Sequence, residues 1–125
     1  MRNLLLSFLM LSFFSACAQS EEGILQLSPE KFISNLNADT NAVLIDVRTP
    51  QEYKQGHIKN AVNIDVLDTA AFASQTESLD KSKTVYLYCR SGRRSNNAAR
   101  DLVSRGFNCV DMKGGILAYK GELVK

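Results

Sequence analysis

Apolar positions along this chain fall into two kinds of run. Residues 42–45, Ala-Val-Leu-Ile, are apolar without a break, and residues 84–88 rise into Val85, Leu87 and Tyr88 in the same way. An apolar run without alternation marks a strand covered on both faces, the signature of a parallel sheet. Residues 24–27, 61–64 and 109–112 give three further short strands. Between them the apolar positions follow helical spacing. Phe32, Ile33 and Leu36 share one face behind Ser28 and Pro29, an N-cap and a first helical residue. Thr49 and Glu52 have the spacing of a capping box, and Gly56 closes that short helix. Residues 68–79 form a helix capped by Asp68, with Phe72 and alanines on its inner face. Ala98, Ala99, Leu102 and Val103 line the buried face of a helix opening at Ser95 and closed by Gly106. Gly114 and Gly115 make a tight turn before a last short helix over 116–120. Strands alternating with helices predict an α/β fold: a three-layer domain with a five-stranded parallel sheet and helices on both faces.

The candidate chemistry lies where the fourth strand meets the fourth helix. Residues 86–95 read Y-L-Y-C-R-S-G-R-R-S. A loop between a strand end and a helix start turns successive backbone N–H groups into one hollow, and the helix dipole adds positive potential. Arg90, Arg93 and Arg94 add full charges. Such a place favours a thiolate, the nucleophilic form of cysteine, and suits a small oxyanion beside it. A buried core cysteine is the bland alternative, but flanking arginines and a glycine do not belong in a core.

The stretch resembles the active-site loop of the rhodanese family of sulfurtransferases. Two other blocks carry the same resemblance: residues 44–64, L-I-D-V-R-T-P-Q-E-Y-K-Q-G-H-I-K-N-A-V-N-I, and residues 113–121, K-G-G-I-L-A-Y-K-G. The resemblance implies the three-layer α/β fold and a persulfide carried on Cys89. It implies a six-residue loop, residues 89–94, that cradles this sulfur, with Arg90, Ser91, Gly92, Arg93, Arg94 and Ser95 binding substrate. Asp46 and Arg48 would be supports that brace the loop, and Arg48 has the spacing to pair with Glu52 one turn on. A small anionic sulfur donor, and a thiol or cyanide acceptor, would be the partners, with no cofactor. Where the family usually has tryptophan this chain has Tyr119. Two other classes remain beside the transferase. A phosphatase or arsenate reductase places its arginine six residues after the cysteine, whereas Ser95 stands there and Arg94 one residue earlier. A noncatalytic binding module of this fold typically lacks the cysteine.

His57 is the single histidine, and because Gly-His-Ile is a turn element in the family, the resemblance implies a structural role for it rather than that of a general base. Without a second histidine at ligand spacing, no metal site is expected.

The domain does not begin at the first residue. Residues 1–16 have a basic start and an apolar run from Leu4 to Phe14, the length of a signal-peptide core. Phe14-Ser15-Ala16-Cys17 resembles a bacterial lipoprotein cleavage box, which implies lipid on Cys17; a secretory signal cut near Ala16 or Ala18 is the alternative. The expected organisation is a lipoprotein signal over 1–16, a tether over 17–23 and a domain over 24–125, lipid-anchored to a bacterial membrane in the periplasm or on the cell surface. Losing Arg2 with the signal leaves 14 of the 15 basic residues against 13 acidic ones, a net charge of +1. That balance gives no reason to expect nucleic acid. Cys89 and Cys109 fall at opposite ends of neighbouring strands, roughly 15 Å apart if the strands are parallel, too far for a disulfide.

Overall fold

A computed structural model describes residues 23–125. The expected signal over residues 1–16 and Cys17 lie outside them. Ten elements alternate along the chain: β1 Ile24–Leu27, α1 Pro29–Ala38, β2 Ala42–Asp46, α2 Pro50–Gln55, β3 Val62–Asn63, α3 Thr69–Glu77, β4 Thr84–Tyr88, α4 Arg93–Ser104, β5 Asn108–Met112 and α5 Gly115–Ala118. Local chemistry sets most of the helix starts. Ser28 accepts the Lys31 N–H, Asp68 accepts the Ala71 N–H, and Thr49 and Glu52 form the reciprocal capping box.

The strands form one parallel sheet in the order β1-β5-β4-β2-β3. Alternating side chains of β4 feed two cores. Val85 and Leu87 pack with Phe72 of α3 and with Ala98, Ala99 and Leu102 of α4. Tyr86 and Tyr88 pack on the other face with Phe32 of α1, and Tyr53 and Ile116 lean against that cluster. Both faces are therefore covered, and the unbroken apolar strands need no polar side. The chain forms β3 on one side of β2 and then returns to place β4 on the other. The crevice beyond the C-terminal ends of β2 and β4 is thus the switch point at which such sheets bind ligands.

Several details depart from the sequence expectation. β3 is two residues long: only Val62 and Asn63 pair in register with β2, and the Asp46 carbonyl that follows is shared by the Ile64 N–H and the Asn63 side-chain amide, each at 3.0 Å, the amide also donating to the Arg48 carbonyl at 2.8 Å. Helix α4 starts at Arg93 instead of Ser95, because Gly92 takes the N-cap position at φ +102° and its carbonyl already accepts the Asn96 N–H at 3.1 Å. The C-terminal segment adds an antiparallel bridge between His57 and Val124. His57 stacks on Tyr53 with ring centroids 3.7 Å apart, and its Nδ1 lies 2.9 Å from the Tyr53 carbonyl oxygen, a structural setting within the turn.

Candidate active site

Cys89 directly follows β4 and is fully buried on the α4 side of the sheet. Its position is fixed by the strand beneath and by α5 beside it. The Ile116 N–H donates to the Cys89 carbonyl at 2.9 Å, and the Leu117 N–H donates to the Arg90 carbonyl at 3.1 Å. These bonds hold two loop carbonyls in the first turn of α5, leaving the following N–H groups to serve the sulfur. The Gly92 N–H donates to Cys89 Sγ at 3.1 Å. Gly115 makes this approach possible: a Cβ there would overlap the Arg90 carbonyl.

The loop residues divide by environment. Arg90, Ser91 and Arg93 are exposed, and no ion pair holds either arginine among the described residues. Ser95 is fully buried, and its hydroxyl donates to the Gly92 carbonyl at 3.2 Å, so it buttresses the loop from within the helix. Arg94 sends both terminal nitrogens to Glu52, at 2.8 and 2.9 Å. Hydrogen bonding from Arg94 is the main reason the Glu52 carboxyl falls to about 2, with the Thr49 cap helping against the cost of burial.

The pairing expected between Arg48 and Glu52 does not form. Arg48 turns back to Asp46, with Nε donating to both carboxylate oxygens at 3.0 and 3.1 Å and a terminal nitrogen to Oδ2 at 2.7 Å. The same nitrogen reaches the Gly56 carbonyl at 2.7 Å. Burial opposes the charge on Arg48, but the hydrogen bonds and charge of Asp46 outweigh it and raise its pKa. Geometry explains the swap: Asp46 is wholly buried at the end of β2, and only a partner within reach can offset its desolvation. Asp46 is in register with Tyr88, and the Arg48 guanidinium lies 5.7 Å from the centre of the Tyr88 ring. The ion pair thus braces the strand end that carries Cys89.

Both cysteines of the described region are free. Cys109 is in register with Val85, four residues short of Cys89 along the neighbouring strand, about 13 Å by strand rise. Burial, and then the charge of Asp111, pushes the Cys109 thiol up to about 12. It is a core residue. Sequence reasoning found Glu52 in its capping box but not its pairing with Arg94, nor the contribution of α5 to the loop. The only signal of the latter was the Gly114-Gly115 pair, which marks a close backbone approach without naming its partner.

A strand, a tight loop with an N–H turned to the cysteine sulfur, and a helix start around that one cysteine define the class. The chain matches the family model of the rhodanese-like domain over residues 28–122, and it belongs to that family. It is 37% identical to YtwF of Bacillus subtilis over 99 residues, which cover 79% of this chain and 93% of that protein. It is 38% identical over 72 residues to the thiosulfate sulfurtransferase PspE of Escherichia coli, covering 58% of this chain and 68% of PspE. Other relatives are longer, and the chain spans 33% of one of them. Among solved structures, a rhodanese-like domain protein from Staphylococcus aureus superposes with a TM-score of 0.70 at 28% identity, over 80% of this chain and 96% of that one.

Proposed function

We propose that this chain is a sulfurtransferase that carries sulfane sulfur as a persulfide on Cys89. The observation that carries the proposal is the Gly92 N–H aimed at Cys89 Sγ from 3.1 Å, within a loop whose first carbonyls are bound elsewhere. The Cys89 thiolate attacks the outer sulfur of thiosulfate or a related donor. The donor's S–S bond breaks, sulfite leaves with the electron pair, and Cys89 keeps the transferred sulfur. An acceptor, cyanide or a thiol, then attacks that sulfur, and the electron pair of the broken bond returns to Cys89. This is covalent catalysis in two half-reactions. Arg90 and Arg93 draw the anionic donor to the mouth, and the loop N–H groups hold the negative sulfur.

Incubation with thiosulfate followed by mass measurement tests this directly. The chain should gain one sulfur atom, Cys109→Ser should gain it as well, and Cys89→Ser should not. An adduct that survives Cys89→Ser would overturn the assignment.

The same proposal includes export and lipid anchoring through Cys17, supported by the Phe14-Ser15-Ala16-Cys17 box. The native protein should partition with membranes and carry an acylated N-terminal Cys17. A mature form starting at Gln19, free of lipid, would overturn it.

A further inference from the structure

Two of the large apolar side chains exposed among the described residues stand at the sheet edge that carries Cys89. Leu117 and Leu67 are each 63% exposed. Leu117 sits against the loop through its bond to the Arg90 carbonyl. Leu67 follows Val66, whose N–H donates to the Val47 carbonyl at 3.2 Å, and the Val47 N–H donates to the Tyr88 carbonyl at 3.0 Å. The two leucines therefore flank the mouth, Leu67 about 10 Å from β4 by strand spacing. Single exposed leucines are ordinary. Here the pair straddles a buried cysteine and shares its rim with Arg90 and Arg93, both exposed. Of the acidic groups nearby, Glu52 is neutralised by Arg94, and Asp65 accepts the Leu67 N–H at 2.9 Å, which leaves one carboxylate against the two unpaired arginines of the rim.

A small anionic donor uses the arginines and gains nothing from the leucines. An occupant that uses both carries acidic and apolar side chains together. We infer that the mouth is a docking surface for an acidic protein whose own thiol takes the sulfur from Cys89. The acceptor thiolate attacks the outer sulfur of the persulfide. A new S–S bond forms on the acceptor, the Cys89 S–S bond breaks, and its electron pair leaves Cys89 as a thiolate. No outside oxidant or reductant enters. A lipid surface is the lesser fit. The described chain begins at Gly23 and runs into Ile24, which is in register with Cys109 near the starts of the strands, whereas Cys89 lies past their ends. An anchor ahead of residue 23 thus joins the fold at the pole opposite the mouth.

This inference rests on the sulfurtransferase proposal, and its test separates the two. The probes are two synthetic peptides, each with one cysteine and two leucines, one flanked by glutamates and the other by lysines. Discharge of the loaded chain should be at least tenfold faster to the glutamate peptide at low salt, and the gap should close as salt rises. The double substitution Leu67→Ser with Leu117→Ser should lower the ratio of peptide discharge to cyanide discharge about fivefold. Equal rates for the two peptides, or an unmoved ratio, would overturn the docking surface while leaving the transferase intact. Titration of the isotope-labelled chain with the glutamate peptide gives a readout that needs no turnover. Chemical-shift changes are expected at Leu67, Arg90 and Leu117, and changes confined elsewhere count against the proposal. Binding to anionic phospholipid vesicles that is lost in the double variant would assign the surface to a membrane instead.

Discussion

Arg94 and Glu52 stand 42 residues apart in sequence and meet through two hydrogen bonds, at 2.8 and 2.9 Å. The pair joins the second residue of α4 to the capping box of α2, so the two walls of the loop crevice are fastened by one fork. Charge-assisted bidentate pairs are the stronger ion pairs, although partial exposure screens them. Glu52→Gln should therefore cost about 1 kcal/mol of stability at neutral pH.

The pH dependence of that cost has a definite sign. The Glu52 carboxyl titrates at about 2 in the fold, below its usual 4.5. Its contribution is therefore fully present above the ordinary value and is lost as pH falls through the folded one. Unfolding in urea across this range should show the native and Glu52→Gln chains converging towards pH 2. Parallel curves would mean that the pair contributes nothing measurable.

Gly115→Ala should be severe. At φ +63° the new Cβ would overlap the Arg90 carbonyl and come within 2.7 Å of the Cys89 carbonyl oxygen. Helix α5 would have to withdraw from the loop it holds. A loss above about 2 kcal/mol is expected, together with loss of sulfur loading in whatever fraction stays folded. Gly106→Ala is the control. It also has positive φ, at +96°, but meets nothing closer than Lys81 Cδ at 3.7 Å. It should cost about 1 kcal/mol and keep loading intact. Equal loading by the folded fractions of both variants would remove α5 from the account of the site.

Tyr88→Phe tests the brace beneath the loop. The Tyr88 hydroxyl accepts the Ile58 N–H at 3.0 Å, and the residue is fully buried. Burial, and then the nearby Asp46 carboxylate, pushes this phenol well above its ordinary value, so it stays neutral. Removing the oxygen leaves a buried N–H without its partner, at about 2 kcal/mol. Denaturant unfolding measures it, and a loss below 0.5 kcal/mol, on the order of a surface substitution, would mean that water or relaxation replaces the bond.

What could be read in the sequence was what is local. The unbroken run at residues 42–45 gave a doubly covered strand, and Ser28, Thr49 and Asp68 marked helix starts by bonds made within three residues. Cys89 was legible because strand, loop glycine, arginines and helix follow one another without interruption. The start of α4 was misplaced by two residues because Gly92 caps it by backbone conformation, with no side-chain hydrogen bond to announce it. The partners of Arg48 and Arg94 were hidden for a different reason. Two carboxylates and one arginine lie within seven residues, from Asp46 to Glu52, and spacing alone permits the local Arg48–Glu52 pair. Burial of Asp46 decides the matter, and burial is a property of the assembled sheet. The captured Cys89 and Arg90 carbonyls, like the bridge from His57 to Val124, join segments that only the fold brings together.

The engagement of Arg94 also bears on which element the loop can transfer. A phosphoryl group presents three oxygens and needs an arginine fork facing them, together with a full ring of N–H donors. Here the loop is one residue short of the phosphatase spacing, and the fork that lies nearest is turned onto Glu52. Arg90 and Arg93 remain, but they sit at the exposed rim rather than around the sulfur. The proposed persulfide asks for less: one added sulfur would be served by the loop N–H groups, of which that of Gly92 already donates to Cys89 Sγ. Thiosulfate turnover with negligible hydrolysis of aryl phosphates is therefore expected, both measured on the same unmodified chain. Glu52→Gln releases the Arg94 fork without lengthening the loop. It should weaken sulfur loading by a few-fold, through a less firmly held α4, and leave phosphate hydrolysis negligible. Phosphatase turnover that exceeds sulfur transfer and disappears in Cys89→Ser would show that loop length does not separate the two chemistries in this fold.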